Sequence, residues 1–160
     1  RADPGPRDRP AEPPARTHRT VTLTDARVTQ PSVQTSWVVP SENTAEAGES
    51  EALDILADIL GGGTTSRLYR ALVVEQANAA SVGAYYQGSA LREGQFAIWG
   101  MPRGEATLEE LEQSIEAEIA RIVDEGITED ELARAKNRVR NALIYQRDSQ
   151  RSLAQRYGGR

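Results

Sequence analysis

The stretch Leu56-Ala57-Asp58-Ile59-Leu60-Gly61-Gly62-Gly63-Thr64-Thr65-Ser66-Arg67-Leu68-Tyr69-Arg70-Ala71-Leu72 decides how the chain is read. Its first part continues an apolar stripe of Leu53, Leu56 and Leu60, with Ile55 and Ile59 beside it. Spacings of three and four residues are the period of a helix with one buried face. Three consecutive glycines stop that helix, because holding Gly helical costs more backbone freedom than holding any other residue. Thr64 and Thr65 then offer hydroxyls to cap a second helix through Gln76, with Leu68, Leu72 and Val73 on one side. The run Gly61, Gly62, Gly63 admits two readings. Its N–H groups bind a carboxylate or a peptide backbone ahead of a helix, or the glycines simply form a C-cap and a sharp reversal.

Outward from this junction the pattern alternates between the two regular periods. Upstream, residues 33–39 read as a strand closed by Pro40, and Val21, Leu23 and Val28 interleave with polar residues as another. Ser41, Asn43 and Thr44 are candidate caps for the helix that follows. Downstream, residues 79–87 and 94–101 read as paired strands joined through Leu91-Arg92-Glu93-Gly94. Leu108, Leu111, Ile115, Ile119 and Ile122 form a helical stripe ended by Gly126, which predicts that Leu111 and Ile115 are buried against the sheet. Thr128 and Glu131 have the spacing of a capping box, and Leu132, Ala135, Val139 and Leu143 share one face of the helix they open. The order β-β-α-α-β-β-α-α predicts an α+β two-layer sandwich, an antiparallel or mixed sheet covered by helices.

Residues 1–19 hold Pro4, Pro6, Pro10, Pro13 and Pro14 among charges of both signs, and read as a linker or surface strap. Residues 20–160 form the domain. The chain opens on Arg1 rather than Met and is expected to be a fragment truncated at both ends.

Composition removes most chemistries. The 160 residues carry no Cys and one His, so no disulfide framework, thiolate site or imidazole cluster can be assembled. His18 stands between arginines with no acid adjacent and reads as a surface residue. A net charge of -5 gives no basic field for nucleic acid. No apolar run reaches the ~20 residues that span a bilayer. Eleven carboxylates between Glu105 and Glu131 read as the solvated face opposite the Leu/Ile stripe, and Trp37, Phe96 and Trp99 as core. Lys136 is the only lysine among 19 basic residues, an arginine bias typical of a high-GC bacterial genome. The compartment, periplasm or cytoplasm, stays open.

The quoted stretch resembles the second domain of insulinase/pitrilysin-type zinc peptidases, the inverzincins. Gly126-Ile127-Thr128-Glu129-Asp130-Glu131-Leu132-Ala133-Arg134-Ala135-Lys136 is similar to a helix-start signature later in that domain. Arg27-Val28-Thr29-Gln30-Pro31 and Pro40-Ser41 add to the likeness, which covers residues 17–157. The resemblance implies a zinc metallopeptidase parent that hydrolyses peptides by zinc-activated water. Its zinc, held by His-x-x-Glu-His and a distal Glu, sits in a domain upstream of Arg1, and this chain carries no catalytic and no metal-binding residue. In the family an Arg and a Tyr in the half facing the zinc hold the substrate carbonyl and its oxyanion. Aligned on Ser66-Arg67-Leu68-Tyr69, the family's structural motif, those places fall to Val73 and Ala80. This departure implies that the chain belongs to the zinc-bearing half, with the Arg/Tyr pair supplied by a second half or partner subunit, or to an inactive core-type subunit, rather than to the Arg/Tyr half. The resemblance also sets residues 61–63 where mitochondrial-processing-type relatives carry a longer, substrate-touching glycine loop. Two other readings stand beside it: a non-catalytic core subunit of the same fold, and a dimerisation module built on the helices of residues 108–145.

Overall fold

The computed structural model describes residues 16–147. Three strands, β1 (Val33–Val39), β2 (Ala79–Gln87) and β3 (Gly94–Pro102), form one antiparallel sheet in the order β1-β3-β2. The sheet is antiparallel throughout, not mixed. β3 sits in the middle because the short connection from β2 makes a hairpin, while β1 docks on the far side of β3 with Val33 opposite Gly100 and Val39 opposite Gly94. Helix α1 (Glu49–Gly61), a π-helical segment (Tyr69–Glu75) and α2 (Leu108–Glu125) are the helical partners of the sheet, and α3 (Glu129–Arg147) packs on α1.

One face of the sheet makes the core. Val82, Phe96 and Ile98 meet Ala57 and Leu60 of α1, Leu68 and Leu72, and Leu111 and Ile115 of α2. Leu111 and Ile115 are both buried, as their stripe predicts. At Gly100 the nearest heavy atoms to a built Cβ belong to Leu111 and Ile115, so α2 lies directly on β3 there.

Several local expectations are corrected. No strand forms over residues 20–28: Val21 and Leu23 are 85% and 84% exposed, because no neighbouring strand pairs with them among the described residues. The element order is therefore β-α-π-β-β-α-α. Ser41 and Thr44 do not cap α1. They close a turn of their own, with Ala45 N–H donating to the Ser41 carbonyl at 2.8 Å and Ser41 N–H to Thr44 Oγ1 at 2.9 Å. The helix starts later, behind Gly48 in the left-handed region at φ 87°. Thr64 and Thr65 lie in a turn, and the following helix widens into π geometry, with Gln76 N–H reaching the Ala71 carbonyl at 2.9 Å. Among the acidic residues Glu118 is buried at 5% exposure, with Arg121 Nη1 donating to it at 2.9 Å. Trp37 is not core; it stands 39% exposed on the edge strand, with its ring centroid 6.3 Å from that of Phe96. Trp99 is half-buried on the opposite face of the sheet.

The capping box of α3 forms as read: Glu131 N–H donates to Thr128 Oγ1 at 3.2 Å and Thr128 N–H to Glu131 Oε2 at 2.8 Å. A second one, unread in the sequence, opens α2 at Thr107 and Glu110. Ala135 is buried and Leu132 and Val139 are half-buried, while the side chain of Leu143 and residues 1–15 and 148–160 lie outside the described residues.

Candidate functional site

The glycine junction sits where three elements converge. α1 runs its last turn onto the middle of β2, so close that a Cβ on Gly61 would overlap the backbone of Gly83 and Ala84. Gly63 turns the chain at φ +105°, a conformation that side-chain-bearing residues rarely adopt. The backbone hydrogen bonds decide where the donors of these glycines go. Gly62 N–H donates to the Asp58 carbonyl at 2.8 Å, and Gly63 N–H to that of Gly61 at 3.0 Å. Those two N–H groups are spent inside the junction. The Cα face of Gly63 is open, with nothing within 4 Å of a built Cβ.

Two arginines clamp this junction to α3. Arg67 Nε and Nη2 donate to the two oxygens of Glu131 at 2.6 and 2.8 Å, and Nη2 also donates to the Gly126 carbonyl at 2.9 Å. A planar guanidinium matches a carboxylate in this two-pronged way, and lysine does not. Arg67 holds the Glu131 carboxyl well below its ordinary value, down to about 2, and the Thr128 donors act in the same direction. Arg138 Nε donates to Asp58 Oδ2 at 2.9 Å, and its Nη1 to Thr65 Oγ1 at 2.6 Å. Asp58 and Thr65 flank the glycines on either side, so Arg138 ties both arms of the reversal to one helix. Of the Ser66-Arg67-Leu68-Tyr69 motif, Ser66 and Leu68 are buried and Tyr69 is half-buried. The clamps were invisible in the sequence because Arg67 and Glu131 lie 64 residues apart along the chain, and neither the capping box nor the motif that holds each of them points to the other.

Val73 is half-buried within the π-helical segment, and Ala80 is exposed near the start of β2. Between them Ala77 is held at φ 53°, left-handed for a residue with a Cβ. Burial of Asp54, followed by the nearby charges of Glu42 and Glu51, pushes its carboxyl above the ordinary value. His18 is exposed. No group of three or more His, Cys, Asp or Glu that could hold a metal ion occurs among the described residues. The described residues therefore present no donor set that fits a zinc centre.

A family model described as the Peptidase M16 inactive domain matches residues 1–139. The chain belongs to that family. Peptidase M16 is the insulinase-type family of the resemblance, and the M16 inactive domain is its non-catalytic member. Solved structures share the fold. A Helicobacter pylori protease superposes with a TM-score of 0.73 at 23% identity, over 81% of this chain and 30% of its own. The inactive peptidase domain of a protein described as a zinc protease, from Bordetella parapertussis, gives 0.67 at 20% identity, over 84% and 70%. A peptidase M16 inactive domain from Pseudomonas fluorescens gives 0.62 at 20% identity, over 71% and 26%. The chain thus spans under a third of the Helicobacter protein's length. No curated protein matches it. Among the described residues no helix is long and apolar enough to cross a membrane.

Proposed function

We propose that this M16 inactive domain is one wall of the substrate chamber in a zinc metallopeptidase that hydrolyses peptides. The zinc and its activated water belong to a domain upstream in the same polypeptide. The observation that carries this reading is the family match over residues 1–139. Val73 and Ala80 occupy the Arg and Tyr places with side chains that cannot hold an oxyanion. On this reading the domain belongs to the zinc-bearing half, and a second half or partner subunit supplies the Arg/Tyr pair. Where peptide meets the glycine junction, contact runs over the exposed Cα face of Gly63 rather than through the N–H groups of Gly62 and Gly63.

The test uses the full parent subunit. Expressed alone it binds stoichiometric zinc yet cleaves a generic peptide poorly, and a partner half carrying the Arg/Tyr pair raises the rate about 100–1,000-fold, the usual worth of an oxyanion donor. Chelation abolishes that activity. The 160-residue chain alone retains no stoichiometric zinc after dialysis. Full activity from the zinc-bearing subunit without any Arg/Tyr half overturns the assignment of halves, and a parent with no zinc returns the chain to the core-subunit reading.

A further inference from the structure

We propose that residues 20–24, Thr-Val-Thr-Leu-Thr, are a strap that closes on the bare edge of β1 as a fourth strand. The inference is independent of any peptidase activity. Two unsatisfied elements of one chain complement each other. β1 pairs with β3 in unbroken register over Val33–Val39, carries no charged side chain, and has no strand on its outer side among the described residues. A regular, uncharged, unbulged edge is a template for another strand. The other edge of the sheet is protected: β2 has a register shift between Ala79 and Ser81, and the end of α1 lies on its backbone at Gly83 and Ala84.

The strap has the matching chemistry. Val21 and Leu23 alternate with threonines at the period of a strand, and both stand almost fully in water. Beside Trp37 and Val39, on the helix-covered face of the sheet, lies an open slot of about 230 Å³ lined only by apolar side chains, including Leu53 of α1 and Ile119 and Ile122 of α2. A strand added to β1 places the side chains that fall opposite Trp37 and Val39 beside this slot. The alternation selects which ones: with Val21 and Leu23 on the face of Trp37 and Val39, the threonines share the opposite face with Gln34, Ser36 and Val38. The tether is adequate. Residues 25–32 reach up to ~26 Å when extended at ~3.3 Å each, against the ~5 Å that separates neighbouring strands. A turn within them, in which Val28 N–H donates to the Asp25 carbonyl at 3.0 Å, already bends the chain. Closure within one molecule needs only a short loop, which favours it over the same pairing between copies.

The chain contains no Cys, so an introduced pair supplies its only thiols. Mild oxidation of Thr22→Cys with Ser36→Cys, or with Val38→Cys, is expected to give an intramolecular disulfide. Thr22→Cys with Thr35→Cys, which points the two thiols to opposite faces, should react at least tenfold more slowly. A disulfide-linked dimer as the main product overturns the proposal in favour of straps exchanged between copies. Equal rates for all three pairs overturn it as well. Should the cysteine variants fail to fold, hydrogen exchange on the unaltered chain decides. Amides of residues 33–39 should exchange at least tenfold more slowly than in the Val21→Asp, Leu23→Asp double variant, and identical rates sink the strap.

Discussion

Gly61 and Gly63 stand two residues apart and are glycine for different reasons. At Gly61 a methyl group would overlap peptide atoms of β2, which no rotamer change can relieve. Gly61→Ala should therefore cost about 3 kcal/mol, the upper end of ordinary overpacking. Gly63 has free space but a positive φ, so Gly63→Ala should cost only the about 1–2 kcal/mol of a left-handed L-residue. Urea titrations of the two variants read the difference as a shift in midpoint at constant slope. Equal, small losses would mean that α1 does not press on β2 as described. Ala77 is the reverse case. At φ 53° it bears the left-handed strain with its Cβ in place. Ala77→Gly removes that strain and adds some unfolded-state freedom, a net gain of about 0.5–1 kcal/mol by the same measurement.

Among elements, α3 depends most on specific charges. It packs on α1 and is held to the glycine junction by Arg67–Glu131 and Arg138–Asp58. Glu131 does two jobs, capping its own helix and receiving Arg67. Its carboxyl lies lower in the folded chain, at about 2, than its ordinary 4.5. The folded state thus favours the ionised form. The stabilisation is complete above pH 4.5 and disappears as the pH falls toward 2. Acid titration of stability should show that loss, and Glu131→Gln should flatten it while lowering stability at neutral pH. A double-mutant cycle of Arg67→Ala with Glu131→Gln should give a coupling of about 1–3 kcal/mol. A coupling near zero, with unchanged acid dependence, would remove Arg67 from the account of how α3 is placed.

Across the whole molecule one apolar layer joins every element except α3 and the segment before β1. Leu111 and Ile115 lie at its centre, between β3 and the helices. Truncating either to Ala should cost about 2–5 kcal/mol and move the entire described unit in a single transition. Losses below about 0.5 kcal/mol for both would place α2 off the sheet. The edges of this layer are less finished than its centre. Among the described residues, the slot beside Trp37 and the outer side of β1 are where apolar surface and backbone donors stand uncovered.

Periodicity and stop signals determined much by themselves. The stripes of α1 and α2, the β2–β3 hairpin, the glycine break and the Thr128–Glu131 cap are local patterns, and local physics suffices to read them. The same holds for the family, whose motifs are contiguous runs. Tertiary structure decided the rest, because the deciding partners are remote in sequence. Whether Val21 and Leu23 make a strand depends on a neighbouring strand, not on their alternation. Whether Glu118 meets water depends on how α2 is turned against its neighbours. Arg67 and Arg138 became clamps only when the chain reversal brought α3 alongside Asp58 and Thr65. The readiest explanation for the triple glycine, a helix stop, was true but incomplete. The backbone of β2 lies against Gly61, and only the packed fold puts it there.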